Sequence, residues 1–313
     1  MKRAAAILAL AGIALAVFLI WQYDAGAVWR AFALVGWGLL VVVAIRLGIL
    51  TMCGHGWWLL VRGMTALPWR AFVQVRIVRE AVNVLLPVAS VGGEIVGARL
   101  IALKGLPVGL AAASGMADLL IQTACQVAFT LMGLALLAAW FDAGPVVEFA
   151  LWGVSIAALG LAGFFLFQRS GAATRVEAWL LRATARFGAP PELGLRPALN
   201  AVWGRPGPVG GSVFWHLLAW IAGALEIWLA LWCMGIEAGF GTALILESLS
   251  QALRGAAFPV PGAIGVQEAG LVVLGRLLGL EPEVALALSF VKRVPDVVIG
   301  LPALWAWHVM ERN

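Results

Sequence analysis

Two stretches of this chain interrupt a hydrophobic sequence with proline and glycine, and each ends in a glutamate. The first, Leu86–Glu94, reads LPVASVGGE, and the second, Phe258–Glu268, reads FPVPGAIGVQE. Pro87 and Pro259 lie 172 residues apart, one in each half of the 313-residue chain. Interrupted hydrophobic segments at corresponding places in two halves mark the transport site of many inverted-repeat membrane proteins. The pair therefore predicts both a fold and the position of a site.

The composition around these breaks is that of a polytopic membrane protein. Hydrophobic residues make up 63% of the chain and charged residues 12%, about half the charged share of a soluble domain. Several stretches with one charge or none are long enough to cross a bilayer, which takes about 20 residues of helix. They are Ala4–Tyr23, Ala31–Val61, Val108–Phe141, Phe149–Phe167 and Pro206–Ile236. Because backbone polar groups in lipid must be satisfied internally, we expect almost the whole chain to be helical.

The same composition argues against several classes of function. The net charge of +5 comes from basic residues in the loops between apolar spans, so we expect no nucleic-acid partner. Cys53, Cys125 and Cys233 lie singly inside apolar spans, and the three histidines are scattered. This spacing provides neither paired metal ligands nor a nucleophile with its base. We therefore expect no metal, no cofactor and no enzymatic activity.

Loop charges predict how the spans are oriented. Basic loops tend to face the cytoplasm, which places Lys2, Arg62, Lys104 and Arg312, and with them both termini, in the cytoplasm of a bacterial cell. Basic loops lie on the cytoplasmic side and acidic loops on the outside only if both broken segments enter the membrane and return to the same side. The sequence therefore predicts an all-α polytopic protein of the bacterial inner membrane. It would have about six transmembrane helices plus two re-entrant helical hairpins in an inverted repeat.

The domain organisation follows from that arrangement. Residues 1–313 form a single membrane domain, in which each repeat consists of a span, a hairpin and a second span. Its parts are a first helix over 4–22, repeat one over 30–140, a connecting span and cytoplasmic loop over 148–211, and repeat two over 212–309. Thr174–Phe187 in the connecting loop is expected to lie on the membrane surface as an amphipathic helix.

Ionisable residues within the spans are the candidate functional residues, because charge at membrane depth is costly. Glu94 and Glu268 either cap the helices that begin at the breaks or face a shared cavity and bind a cation or a proton. Asp118 and Lys292 each lie 24 residues after one of these glutamates. They either form a salt bridge with each other across the two repeats or pair locally.

The complete candidate set comprises residues for transport and residues that break the helices. The transport or substrate-binding candidates are Glu94, Arg99, Asp118, Arg254, Glu268, Lys292, Arg293 and Asp296. The structural breaks are Pro87, Gly92, Gly93, Pro259, Pro261, Gly262 and Gly265. Arg79 and Arg99 either bind a phosphate headgroup with paired hydrogen bonds or anchor a helix end at the cytoplasmic surface. Arg46 and Glu226 are expected to serve helix packing.

The motifs at the two breaks also carry a family resemblance. They are Leu86-Pro87 with Gly93-Glu94 and Arg99, then Asp118, then PGAIGVQE over Pro261–Glu268, and finally Lys292-Arg293. Together these residues resemble the flippase-like membrane domain of lysylphosphatidylglycerol synthases, over nearly the whole chain. With the following Leu278–Ser289, the second motif is most similar to the stand-alone, hopanoid-associated branch of that family.

This resemblance implies a role in moving a polar lipid between leaflets. It implies functional positions at Glu94, Arg99, Asp118, Glu268 and Arg293. Bifunctional members of the family carry a soluble aminoacyl-transferase domain after the membrane domain, and no such domain follows here, so lysyl transfer is not expected.

The sequence therefore favours a lipid translocase whose partner is a membrane lipid, either a hopanoid or an anionic phospholipid. It leaves open a homodimer and lipid-biosynthesis partner proteins. Two other functions remain open, a small-solute or ion secondary transporter and a non-catalytic subunit of a lipid-modifying system.

Overall fold

The computed structural model describes residues 14–15, 17–19, 21–86, 92–141, 144–170, 194–257 and 260–311. Within these ranges the chain is helical and contains no strand, as predicted. Most of the first predicted helix (4–22), the whole of Thr174–Phe187, and the breaking residues Pro87 and Pro259 lie outside the described residues.

The described helices are either long, with 24 to 33 residues, or short, with 9 to 17 residues. In chain order they are α1 (Ala25–Val35), α2 (Gly38–Val61), α3 (Trp69–Leu85), α4 (Gly92–Leu103), α5 (Val108–Trp140), α6 (Gly144–Arg169), α7 (Leu195–Trp203), α8 (Pro206–Cys233), α9 (Phe240–Ala256), α10 (Val266–Leu277) and α11 (Pro282–Met310). A single 3₁₀ turn, Pro261–Ala263, precedes α10.

The structure corrects two predicted helix boundaries. The span expected over 30–61 is divided into α1 and α2, because Gly36 takes a positive φ of 49° that an α-helix does not continue through. The Asp24 side chain starts α1 by accepting a hydrogen bond from the Gly26 N–H at 2.8 Å. Backbone N–H groups of Gly26 and Ala27 lower the pKa of the Asp24 carboxyl. In the second repeat, α8 begins at Pro206 rather than Ser212, since proline is favoured in a first helical turn.

α3 and α4 form an antiparallel helical hairpin. A Cβ on Gly93 would lie 2.5 Å from the Asn83 side chain, and one on Gly97 would lie 3.2 Å from the side chain of Arg79. Further from the break, Lys104 Nζ donates a hydrogen bond to Gln74 Oε1 at 3.3 Å. At 1.5 Å per residue, α3 is about 25 Å long and α4 about 18 Å, both shorter than the roughly 30 Å hydrocarbon core.

The second break is also flanked by two short helices. α9 and α10 have 17 and 12 residues, the same lengths as α3 and α4. They pack side by side, and a Cβ on Gly270 would meet the Leu253 side chain at 2.5 Å. Gly262 and Gly265 have φ values of 61° and 80°, which glycine adopts readily. Both glycines therefore have backbone conformations that interrupt a helix.

The two breaks approach each other, as the sequence predicted. A Cβ on Gly262 would lie only 3.2 Å from the carbonyl oxygen of Val84, near the end of α3. Packing between the halves is reciprocal, because α3 packs against α11 and α9 packs against α5. The first spans, α2 and α8, pack against each other more extensively than any other pair of described helices. Reciprocal packing of this kind is expected if the two halves of the chain have equivalent folds. The opposite orientation of the two halves in a membrane stays a prediction.

Four described helical segments are long and apolar enough to cross a membrane: Gly38–Val61, Val108–Trp140, Leu151–Arg169 and Pro206–Cys233. α11 is 29 residues long, but Lys292, Arg293 and Asp296 lie in its middle. The predicted number of crossings remains a prediction.

The buried apolar residues form two large clusters with the charges between them. One cluster contains Val42 of α2 and Ile227 of α8, and the other contains Trp57 of α2 and packs against Val213 of α8. Arg46 of α2 and Glu226 of α8 are both buried and lie between these residues along their helices. The other buried charged side chains belong to α3, α5, α9, α10 and α11, and they are Arg76, Arg79, Asp118, Glu247, Glu268 and Lys292. The fold therefore places a polar layer inside an otherwise apolar bundle.

Candidate functional site

A polar cavity of about 240 Å³ lies where helices of the two halves meet. It is lined by side chains of α2, α3, α4, α5, α8 and α9. Its charged lining residues are Arg46, Arg76, Glu80, Glu94, Glu247 and Arg254, and its amide side chains are Asn83, Gln122, Gln126 and Gln251. Charge and amide groups of this density inside an apolar bundle are costly unless they are paired or bind a ligand.

Arg79 is the centre of the first charge cluster. Its Nε donates to Glu94 Oε1 at 2.8 Å, and its Nη1 donates to Asp118 Oδ2 at 2.7 Å. The guanidinium lies over the ring of Trp57, 5.6 Å from the ring centre. Arg79 is only 2% exposed, so the alternative that it anchors a helix end at the membrane surface is wrong. It instead joins α4 to α5 through two carboxylates.

Asp118 has two further charged or titratable neighbours. Arg76 lies 3.8 Å away and also donates to Gln122 Oε1 at 2.8 Å. On the other side, His216 of α8 places its Nε2 3.3 Å from Asp118 Oδ1. A Cβ on Gly56 would lie 2.9 Å from the His216 ring, so glycine at this position makes room for the imidazole.

Lys292 is the centre of the second cluster. It donates a hydrogen bond to Glu247 of α9 and lies 3.8 Å from Glu226 of α8. Glu226 also accepts two hydrogen bonds from Arg46, at 2.9 and 2.7 Å. Arg46 and Glu226 therefore join the first spans of the two halves, which agrees with the packing role predicted for them.

The two clusters are related by an exchange of charge. In the first half, Arg76 of α3 faces Asp118 of α5, and in the second half Glu247 of α9 faces Lys292 of α11. Among the described residues, no ion pair joins Asp118 to Lys292, so the predicted salt bridge between them is wrong. Local pairing is favoured because the hairpin packed against each long helix brings an opposite charge closer.

Glu268 caps a helix and binds a cation, but it is not among the residues that line the cavity. Its Oε2 accepts a hydrogen bond from the Gly265 N–H at 2.6 Å, which caps α10. Its Oε1 accepts from Arg293 Nε at 2.8 Å, and Arg293 also donates to the Gly262 carbonyl at 3.2 Å. At the first break the tasks are divided, since Asn83 accepts from the Gly93 N–H while Glu94 binds Arg79.

The remaining predicted residues lie in different surroundings. Arg254 lines the cavity with a side chain that is 19% exposed, and Asp296 lies 4.0 Å from it. Arg99 is on the outside of the bundle, where its largely exposed side chain pairs with Glu311 at 3.1 Å. The structure therefore brings Glu94, Asp118, Lys292 and Arg254 to or beside the cavity and leaves Arg99 away from it.

Sequence reasoning missed Arg76, Glu80 and His216 as site residues. Arg76 and Glu80 carried a signal, since they are charges on the short arm that precedes the first break. His216 carried none, because a single histidine in an apolar span has no partner that its sequence neighbours reveal. Groups of three or more potential metal ligands are absent from the part of the chain that the structure describes.

Comparison with known proteins identifies the family. No curated protein and no solved structure shows significant similarity to the chain. A family model described as the lysylphosphatidylglycerol synthase TM region matches residues 5–303, as the motifs at the breaks predicted. The chain therefore belongs to the family of lysylphosphatidylglycerol synthase transmembrane regions.

Proposed function

We propose that the protein is a lipid translocase that moves a bacterial membrane lipid between leaflets. The observation that carries this proposal is the cavity lined by charges from both halves, within a bundle whose described spans are otherwise apolar. A lipid headgroup would enter this cavity while the apolar tails stay in the bilayer. Membership of a lipid-related membrane family supports the same function.

Arg254 supports an anionic phospholipid as the substrate. Its ion pair with Asp296 is long, at 4.0 Å, whereas the ion pairs of Arg46 and Arg79 are 2.7 Å. Its guanidinium faces the cavity with donors that can bind a phosphate through paired hydrogen bonds. The polar end of a hopanoid lacks phosphate and could not form these paired hydrogen bonds with Arg254. A hopanoid is therefore the second candidate.

The segments around the two breaks would change conformation during transport. We propose that both hairpins are re-entrant and that Glu94 changes partner between Arg79 and the headgroup. Glu94 is suited to this role because it lines the cavity and its side chain is 17% exposed, whereas that of Glu268 is 3% exposed. Glu268 would hold the second hairpin through Arg293. The inner membrane, cytoplasmic termini, a homodimer and lipid-biosynthesis partner proteins belong to the same proposal.

The cavity volume favours one other function. About 240 Å³ is below the roughly 300–1,000 Å³ of typical ligand pockets. A small solute or an ion would also fit, so a secondary transporter is the alternative. A non-catalytic subunit of a lipid-modifying system is the third candidate.

Leaflet exchange of a fluorescent phosphatidylglycerol in proteoliposomes tests the proposal. A membrane-impermeant quencher removes the signal of the outer leaflet, and the protein should speed loss of the protected inner-leaflet signal. Arg254→Gln and Glu94→Gln should slow this exchange about tenfold or more, the loss expected when a charged hydrogen bond to the substrate is removed. Exchange no faster than in protein-free liposomes would refute the translocase.

Two control variants carry the same substitutions at exposed positions. Arg276→Gln on α10 and Glu281→Gln before α11 should leave the exchange rate unchanged, because both side chains lie away from the cavity. A fluorescent neutral hopanoid exchanged faster than phosphatidylglycerol would assign the other substrate. Uptake of a solute without lipid exchange would favour the secondary transporter.

A further inference from the structure

His216 has an acceptor atom at each of its ring nitrogens. Nδ1 lies 2.9 Å from the backbone carbonyl oxygen of Ser212, and Nε2 lies 3.3 Å from Asp118 Oδ1. A carbonyl oxygen only accepts hydrogen bonds, so Nδ1 carries a hydrogen. An ionised carboxylate also only accepts. Unless Nε2 carries a hydrogen as well, two lone pairs face each other.

The surroundings give these two atoms no other partner. His216 and Asp118 are both fully buried. Across the described ranges, neither His216 Nε2 nor Asp118 Oδ1 has another hydrogen-bonding partner. Leaving a buried polar atom unsatisfied is destabilising. A proton between the two atoms removes that cost for both.

The proton belongs to the histidine because Asp118 is held as an anion. Arg79 donates to its other oxygen at 2.7 Å, and Arg76 lies 3.8 Å away. The other groups around the pair are Ser212 of α8, the Cys53 thiol and Gly56 of α2, the Cys125 thiol of α5, and Glu94, which reaches Asp118 only through Arg79. None of them brings a second cation to the His216 ring.

The balance of charge inside the bundle leads independently to the same state. The interior ion pairs of the described helices join six cations, Arg46, Arg76, Arg79, Arg254, Lys292 and Arg293, to seven carboxylates, Glu80, Glu94, Asp118, Glu226, Glu247, Glu268 and Asp296. An uncompensated buried charge is strongly destabilising. An imidazolium at His216 supplies the missing positive charge.

We propose that His216 is a proton-binding site that couples proton movement to the state of the cavity. With the proton bound, Asp118 is shared by His216 and Arg79, and Arg79 also holds Glu94. Loss of the proton from Nε2 leaves Asp118 more dependent on Arg79. Arg79 then shifts toward Asp118 and releases Glu94 to the cavity. The coupling rests on the proposed translocase function, whereas the charge state of His216 does not.

Side-chain ¹⁵N spectra of histidine-labelled protein in lipid nanodiscs test the charge state. The chain has three histidines, so His55→Gln and His308→Gln assign the other two signals. At about pH 7.5, one unit above the ordinary histidine value, His216 should give an imidazolium signal. A neutral His216 ring at this pH would overturn the proposal.

Asp118→Asn is the matched variant, since it removes the counter-ion but keeps the shape of the side chain. His216 should then become neutral at the same pH, and an unchanged imidazolium signal would contradict the pairing. A cooperative thermal transition confirms that this variant is folded. If it does not fold, Arg79→Gln, which leaves Asp118 with fewer cations, should strengthen the imidazolium signal at higher pH.

A pH gradient across the proteoliposomes tests the coupling separately. Exchange should change several-fold with the direction of the gradient in the wild type and not in His216→Gln. If His216 is an imidazolium but lipid exchange does not depend on the pH gradient, the proposed coupling is wrong and the proton-binding site stands. If His216 is an imidazolium and the protein catalyses no lipid exchange, the proposed function is wrong and the proton-binding site still stands.

Discussion

Replacing Glu226 with methionine should destabilise the protein more than replacing any single charged side chain at the surface. Glu226 accepts two hydrogen bonds from Arg46 and lies 3.8 Å from Lys292, and its side chain is fully buried. Without it, Lys292 keeps Glu247, but Arg46 loses its partner while only 11% of its side chain is exposed. Breaking a buried pair by removing one member costs about 3–5 kcal/mol.

The double variant Arg46→Met/Glu226→Met separates this mechanism from lost packing. It removes the pair and leaves Lys292 with Glu247, so the cluster remains neutral. Replacing both members of a buried pair with apolar residues is often neutral or stabilising. We therefore expect the double variant to lie within about 1 kcal/mol of the wild type. Arg46→Met alone should cost less than Glu226→Met, because Lys292 remains near the carboxylate.

The native cysteines provide the assay. Cys53 and Cys125 are buried and Cys233 is half-buried, so a thiol-reactive fluorescent dye reports unfolding during heating in detergent. At about 2–4 °C per kcal/mol, Glu226→Met should lower the unfolding temperature by roughly 6–20 °C. The exposed pair is the control, and Arg99→Met/Glu311→Met should cost less than about 1 kcal/mol. A double variant as unstable as Glu226→Met alone would refute the reasoning.

Two further predictions test the packing and the hairpin. Gly133→Ala would place a Cβ 1.7 Å from Ser248 Oγ and 2.8 Å from Ser248 Cβ. Because α5 and α9 must then separate, we expect a cost of about 1–3 kcal/mol in stability. Gly163→Ala is the control, since open space surrounds this glycine, and it should leave the unfolding temperature unchanged or slightly raised. Single cysteines replacing Arg62 or Lys104, in a background without native cysteines, test the first hairpin. Both should react with a membrane-impermeant reagent from the same side of the membrane. Labelling from opposite sides would exclude a re-entrant first hairpin.

The local features of the fold could be read from the sequence because they depend on neighbouring residues. The apolar stretch Val108–Phe141 agrees with α5 to within a residue, because a proline directly precedes the helix and a nearly uncharged run continues through it. The division at Gly36 was missed, because a single glycine in an apolar run does not by itself require a positive φ.

The candidate site was predicted less completely, because side-chain partners come from distant parts of the chain. Arg79 and Arg99 carry the same signal in sequence, yet one is buried between two carboxylates and the other is exposed at Glu311. The difference lies in the helix face that each arginine occupies, since Arg79 faces Glu94 and Asp118 inside the bundle and Arg99 lies on the outside. Equal spacing from the glutamates suggested a bridge between Asp118 and Lys292, but each found a nearer partner on the adjacent hairpin.

The sequence by itself determined a helical membrane protein, two interrupted segments in matching positions and the residues that could carry charge. These properties follow from hydropathy, from proline and glycine geometry, and from charge position along one chain. Only the tertiary structure decided which charges meet, that they surround one cavity, and that His216 faces Asp118 across 98 residues of sequence. Pairing in an apolar interior depends on distances of a few ångströms between helices, and helix packing sets those distances.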